Sequence, residues 1–192
     1  MLGSVVPITR HLPRLELGAY AVHLKALAAE DRRLRFGQAV DDAFIERYVE
    51  RIDAERDAVF GVSDDALSLV GAAHLARAAH HAELGISVLP CERRRGVGGA
   101  LLQRAALHAR NWGLSEFFTH CLRENAPLLR LARRHGMRIV VEAGEADGFL
   151  ALPAPDASSL ATELLVERVG GFDHALKWNA LALRRLSAAW RA

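Results

Sequence analysis

Three arginines and three glycines fall within seven residues, Arg93-Arg94-Arg95-Gly96-Val97-Gly98-Gly99. The chemistry that such a run can do is anion binding. Glycines let backbone N–H groups converge, and a helix starting there adds unpaired donors and the positive end of its dipole. The pattern does start a helix. Leu101, Leu102, Ala105, Ala106, Ala109 and Trp112 share one face, and Gly113 is placed to end it. Upstream, Glu83 to Leu89 alternates as a strand and Pro90 stops it. The same stretch also reads as an ordinary strand–turn–helix whose arginines are solvated.

Known phosphate loops fit it unequally. A Walker loop needs Lys-Ser or Lys-Thr after its glycines, and neither follows here. A dinucleotide fingerprint needs a third glycine where Leu101 stands, although Glu116 lies at a fitting distance downstream. The pattern [QR]-x-x-G-x-[GA] does fit, as Arg93-x-x-Gly96-x-Gly98. This resembles the coenzyme A loop of the GCN5-related N-acetyltransferase (GNAT) superfamily. A second patch, Asn125-x-x-Leu128-x-x-Leu131-Ala132-Arg133-Arg134-His135-Gly136-Met137, is similar to that family's N-x-x-A/M-x-x-L-Y/A-x-x-x-G-F element.

The resemblance implies an N-acetyltransferase that uses acetyl-CoA as co-substrate and needs no metal. Its partners would be coenzyme A and an amine-bearing acceptor, joined by direct attack in a ternary complex. Arg93, Arg94, Arg95, Gly96, Val97, Gly98 and Gly99 match the pyrophosphate loop, with Gly98 expected to leave the phosphates room. Ile86, Ser87 and Val88 match the strand whose backbone pairs with the pantetheine arm, and Asn125 matches an asparagine that contacts that arm. Asn125 also reads as a plain helix N-cap.

For the base, Glu83 stands near where several relatives carry a glutamate, on one strand face with Gly85 and Ser87. His120 stands where some relatives place a base, and an imidazole titrates near neutrality. Glu83 reads equally well as an edge-strand carboxylate of no consequence, and His120 more readily as a satisfied structural histidine. The family's usual acid, a tyrosine in the helix after Asn125, is replaced by Ala132, and the only tyrosines are Tyr20 and Tyr48. That departure leaves a second reading open, a catalytically weak acyl-CoA-binding or regulatory module.

Several elements must position these groups. A first strand is expected over Val5 to Leu12, then a helix over Leu17 to Arg35 and a second one capped by Asp41 or Asp42. Arg35 and Phe36, between the two, are candidates to border the acceptor pocket. Strands follow over Ala58 to Val62 and Leu67 to Ala76, with His80-His81 as a turn. Ser115 to Leu122 is a further strand, and a helix runs from Asn125 through Arg134. Met137 to Glu142 and Gly148 to Leu152 form a hairpin over Gly144 to Asp147. The fold class is α/β (α+β): a mixed, mostly antiparallel sheet of about seven strands flanked by helices. Glu83–Leu89 and Ser115–Leu122 are expected to be a parallel pair splayed around the cofactor.

Pro153 and Pro155 mark a boundary between a transferase domain, 1–153, and a C-terminal helical extension, 154–192. Leu160, Leu164 and Leu165, then Phe172, Leu176, Leu183, Leu186 and Trp190 after Gly170-Gly171, predict two helices there. Their apolar stripes require burial, against the chain's own core or in a homodimer. Of the 192 residues 51% are hydrophobic and 25% charged, and the net charge of +2 is too small to argue for a nucleic-acid partner, so none is expected. No apolar run approaches the roughly 20 residues of a spanning helix, so no membrane is implied. Cys91 and Cys121 have no metal or disulfide spacing, and no secretory h-region precedes the first strand. A cytoplasmic enzyme is expected.

Overall fold

The computed structural model describes residues 6–78 and 81–189. Val5, His80 and Trp190 lie outside the described residues. The elements are β1 (Arg10–His11), α1 (Leu17–Lys25), α2 (Ala29–Phe36), α3 (Asp42–Glu50), β2 (Ala58–Ser63), β3 (Leu69–Arg77) and β4 (Ala82–Val88). They continue with α4 (Val97–Asn111), β5 (Glu116–Leu122), α5 (Ala126–Arg134), β6 (Arg138–Glu142), β7 (Glu145–Ala151) and α6 (Ala157–Ala189).

One seven-stranded sheet runs in the order β1-β2-β3-β4-β5-β7-β6. Every neighbouring pair is antiparallel except β4 and β5. Each sheet face carries its own core. On one side Phe60, Leu75, Leu84 and Phe117 pack under Leu101 and Leu102 of α4. On the other, Val59, Leu69 and Ala72 pack under Tyr20, Leu24, Ile45 and Val49 of α1 and α3. Burying a side chain of this size stabilises the fold by about 1.5–3 kcal/mol.

Four expectations are corrected. The first strand is confined, among the described residues, to Arg10–His11. The helix expected over Leu17 to Arg35 is two, broken where Ala28 is extended at ψ 156°. Arg32 stabilises the break by donating to the carbonyls of Leu27, at 3.0 Å, and Lys25. The β6–β7 turn is only Ala143-Gly144, at φ 47° and φ 91°. Both residues are left-handed, as a two-residue hairpin turn requires, so β7 starts at Glu145.

The extension is a single helix running through Gly170-Gly171. Gly170 lets α6 press onto β1: a Cβ there would lie 2.5 Å from the Thr9 carbonyl. The glycine marks close approach rather than a break. Arg104 of α4 is the second anchor, 2.7 Å from Glu163 and 2.8 Å from Glu167.

Candidate active site

The site lies where β4 and β5 part. Their ladder holds Ala82↔Phe117 and Glu83↔Phe118 and pairs no further residues. One side-chain bond closes its end, from Thr119 Oγ1 to the Leu84 carbonyl at 2.8 Å. Beyond it Gly85 to Val88 pair on the β3 side alone. Backbone N–H and C=O groups facing that gap need partners, so the gap suits an extended, hydrogen-bonding arm.

The loop closes one end of the gap. A 3₁₀ turn at Pro90–Glu92 ends β4, and α4 starts at Val97 after Gly96 at φ 86°. Arg94 is also left-handed, at φ 61°. No side chain caps α4, so its first-turn amides remain as donors. The arginines contribute less than their number suggests. Arg93 is 2.6 Å from Asp31, and Arg95 is 2.8 Å from Glu92. The missing side chain of Gly98 faces protein: a Cβ there would lie 3.2 Å from Leu131 Cδ2. Gly98 therefore lets α4 approach α5.

Alternation puts Glu83, Gly85 and Ser87 on one face of β4, and the parallel pairing puts Phe118 and His120 on the same face of β5. Helices α1 and α2 cover this face. Buried His23 of α1 lies 3.0 Å from the Leu69 carbonyl and 2.9 Å from Ser87 Oγ. A carbonyl only accepts, so Nδ1 carries the proton and Ser87 donates to Nε2. Burial pushes the His23 pKa down and keeps the ring neutral. Ile86 and Val88 point to the opposite face, against the α4 core.

Glu83 is exposed beside this gap. His120 is held by Asp147 at 2.7 Å and has Glu145 at 3.6 Å. The Asp147 hydrogen bond pushes its pKa up, partial burial opposes this, and Asp147, Glu145 and Glu83 add favourable charge. Asn125 caps α5, accepting from the Leu128 amide at 3.2 Å, and donates to the Leu34 carbonyl at 3.3 Å. It thereby ties α2 to the start of α5.

A polar network missed in the sequence hangs over Gly85. Arg35 Nη2 donates to Tyr20 Oη at 3.2 Å and Tyr48 Oη at 2.9 Å. Tyr48 Oη is 2.6 Å from His74 Nδ1, and His74 Nε2 is 3.3 Å from Asp57. No local spacing joins positions 20, 35, 48, 57 and 74. Only the residue types, polar groups on apolar helix stripes, gave a signal. Phe36 packs edge-on against Phe44 and Tyr48.

The profile of the acetyltransferase (GNAT) family matches residues 21–137. Among solved structures, the GNAT domain of PAT from S. lividans superposes with a TM-score of 0.65 at 17% identity, covering 75% of this chain and 89% of that one. The paia N-acetyltransferase from Thermoplasma acidophilum, in complex with coenzyme A, gives 0.57 at 17% identity over 74% and 97%. Ribosomal-protein-alanine N-acetyltransferase from Brucella melitensis gives 0.57 at 19% identity over 75% and 99%. Likeness at this identity speaks for the fold alone. No curated protein matches the chain.

Proposed function

This chain belongs to the acetyltransferase (GNAT) family, and from that premise we propose that it transfers an acetyl group from acetyl-CoA to a primary amine by direct attack in a ternary complex. The observation that carries the reading is the gap between β4 and β5 opening onto an uncapped helix start. Acetyl-CoA supplies the activated acetyl thioester. The first-turn amides of α4, with Gly96 and the flanking arginines, bind its phosphates. The freed backbone of Ile86, Ser87 and Val88 pairs with its arm, and the remaining Asn125 N–H faces the same arm.

Glu83 takes the proton that the acceptor ammonium must lose, directly or through water. As an anion it also draws the cationic acceptor to the gap. His120 is secondary, because Asp147 holds its Nδ1 and Glu145 lies 3.6 Å from its Nε2, whereas Glu83 makes no ion pair among the described residues. Ala132 offers no proton to the departing thiolate, so water supplies it. That alanine also favours a second reading, a module that binds acyl-CoA without turnover. Release of free thiol in the presence of an amine separates the two.

Among the described residues no helix is long and apolar enough to cross a membrane. Cys91 and Cys121 are both free thiols, which fits a reducing cytoplasm. Helix α6, beyond the boundary at 153/154, serves as the homodimer interface. Leu165, Val169, Phe172, Leu176, Leu183 and Leu186 are all exposed and follow alternating steps of four and three residues, with Asn179 filling the one polar place. A 3.5-residue seam is self-complementary to a second copy of the same helix.

A further inference from the structure

Arg104 is buried and Arg35 half-buried with its Nε enclosed, and the two are treated differently. Arg104 has its guanidinium between two carboxylates, Glu163 and Glu167. Arg35 has none. Among the described residues no Asp or Glu lies within ion-pair distance of it, and its Nε, like that of Arg104, is buried without a hydrogen-bond partner. Its Nη2 is satisfied by two neutral phenols, and its Cζ lies 4.9 Å from the Phe36 ring centre. A guanidinium stays charged at any physiological pH, so taking it from water without a counter-ion is costly. Positions built this way await an anion.

The place of the charge narrows the anion. A Cβ at residue 85 would overlap the guanidinium, so Gly85 is what admits it against β4. Gly85 is also the first residue past the point where β4 and β5 cease to pair, at the apex of the gap. Glu83 sits two residues earlier on the same face, about 7 Å along the strand. An anion and a cation at that spacing, at the end of the gap, complement a molecule that carries an ammonium and a carboxylate a few bonds apart.

We propose that Arg35 is the docking point for a carboxylate on the acceptor, and that the acceptor is therefore a compact amino acid. The inference rests on the transferase reading. Tyr20 and Tyr48 hold the guanidinium in place and His74, backed by Asp57, accepts from Tyr48. The fork is thereby pre-oriented before substrate arrives. Phe36 and the Tyr48 ring screen it from water and strengthen its pairing with an incoming carboxylate.

The test uses the full chain, acetyl-CoA, and matched acceptors: free amino acids, their carboxamides and their decarboxylated amines. Free thiol release gives kcat/KM. The wild type should prefer the carboxylated member of a pair by about a hundredfold or more, since its absence leaves a half-buried cation without a counter-ion. Arg35→Gln should bring that ratio close to unity by lowering only the carboxylated rates, and Arg35→Lys should restore part of it. Gly85→Ala, which displaces the guanidinium without removing its charge, should lower the ratio too, and keeps the test open should Arg35→Gln misfold. No preference in the wild type, or an equal loss on all acceptors in Arg35→Gln, overturns the proposal while leaving the transferase reading intact. Binding of coenzyme A by calorimetry with no transfer to any amine overturns both.

Discussion

His120 and Asp147 face each other in register across the β5–β7 ladder, with Nδ1 2.7 Å from Oδ1. The pair bears on the choice between the two candidate bases. Both ring nitrogens of His120 face a carboxylate, Asp147 and Glu145, while Glu83 is exposed and remains free of any ion pair among the described residues. One positioned base contributes about a hundred- to ten-thousand-fold. Glu83→Gln should therefore lower kcat/KM by at least about a hundredfold, with coenzyme A affinity unchanged. His120→Gln should cost less than about tenfold. The reverse order would move the base to β5.

The same pair predicts a pH signature in stability. Asp147 raises the His120 pKa above its ordinary 6.5, so the folded state binds this proton more tightly than the unfolded one. Its stabilisation is full below about pH 6.5 and is lost as pH rises through the higher folded value. Melting curves should show His120→Gln less stable than wild type at pH 6 and equal to it in alkaline buffer. An equal gap at both pH values would show the pair to be inert.

Binding of coenzyme A should depend on loop backbone more than on loop charge. Gly96 at φ 86° tolerates a side chain only at about 1–2 kcal/mol, and its conformation aims the amides of α4. Two of the three arginines already have carboxylate partners. Calorimetry should find Gly96→Val weaker by about tenfold or more, with Arg94→Ala changed less. A larger loss in Arg94→Ala would make the side chains the anion holders. Gly98→Val is the poorer probe, because its first effect is to push α4 off Leu131.

Acid should release α6. Burial alone would raise the Glu163 pKa, but hydrogen bonds from His108, Asn111 and Arg104 outweigh it and hold the group at about 2, below its ordinary 4.5. The stabilisation is complete above pH 4.5 and is lost as pH falls toward 2. Hydrogen exchange across Ala157–Gly170 should accelerate in that window before exchange in β3 does. Arg104→Ala, which removes the ion pairs to Glu163 and Glu167, should accelerate the same exchange at neutral pH. Simultaneous exchange of helix and sheet would mean that α6 is no separate unit.

The exposed seam of α6 predicts a dimer. Sedimentation should give twice the chain mass for the wild type and a monomer for Leu176→Glu with Leu183→Glu, because a charge at such positions finds no partner in a packed seam. A wild-type monomer at micromolar concentration would end the assignment.

What could be read in the sequence is what is local. The strand, the Arg93–Gly99 loop and α4 follow one another without a gap, so residue order reports them directly. The parallel β4–β5 pair also followed from local patterns and the family resemblance. What failed needed distant partners. Gly170 read as a helix break because nothing nearby shows that Thr9 would press against it. The break at Ala26–Ala28 has no glycine or proline, and depends on Arg32 reaching back to two carbonyls. Arg35 stood out in the sequence as an acceptor-pocket candidate, but its lack of a carboxylate partner was not legible there. That required Tyr20, Tyr48 and Gly85 to meet from three elements.

The central claim, acetyl transfer, is tested most directly by free coenzyme A thiol released from acetyl-CoA with and without a panel of amines. The account predicts amine-dependent release, with one acetylated product per thiol and a loss of about a hundredfold or more in Glu83→Gln. Tight binding of acetyl-CoA with thiol release no faster than without amine, across the whole panel, would contradict it and leave a binding module.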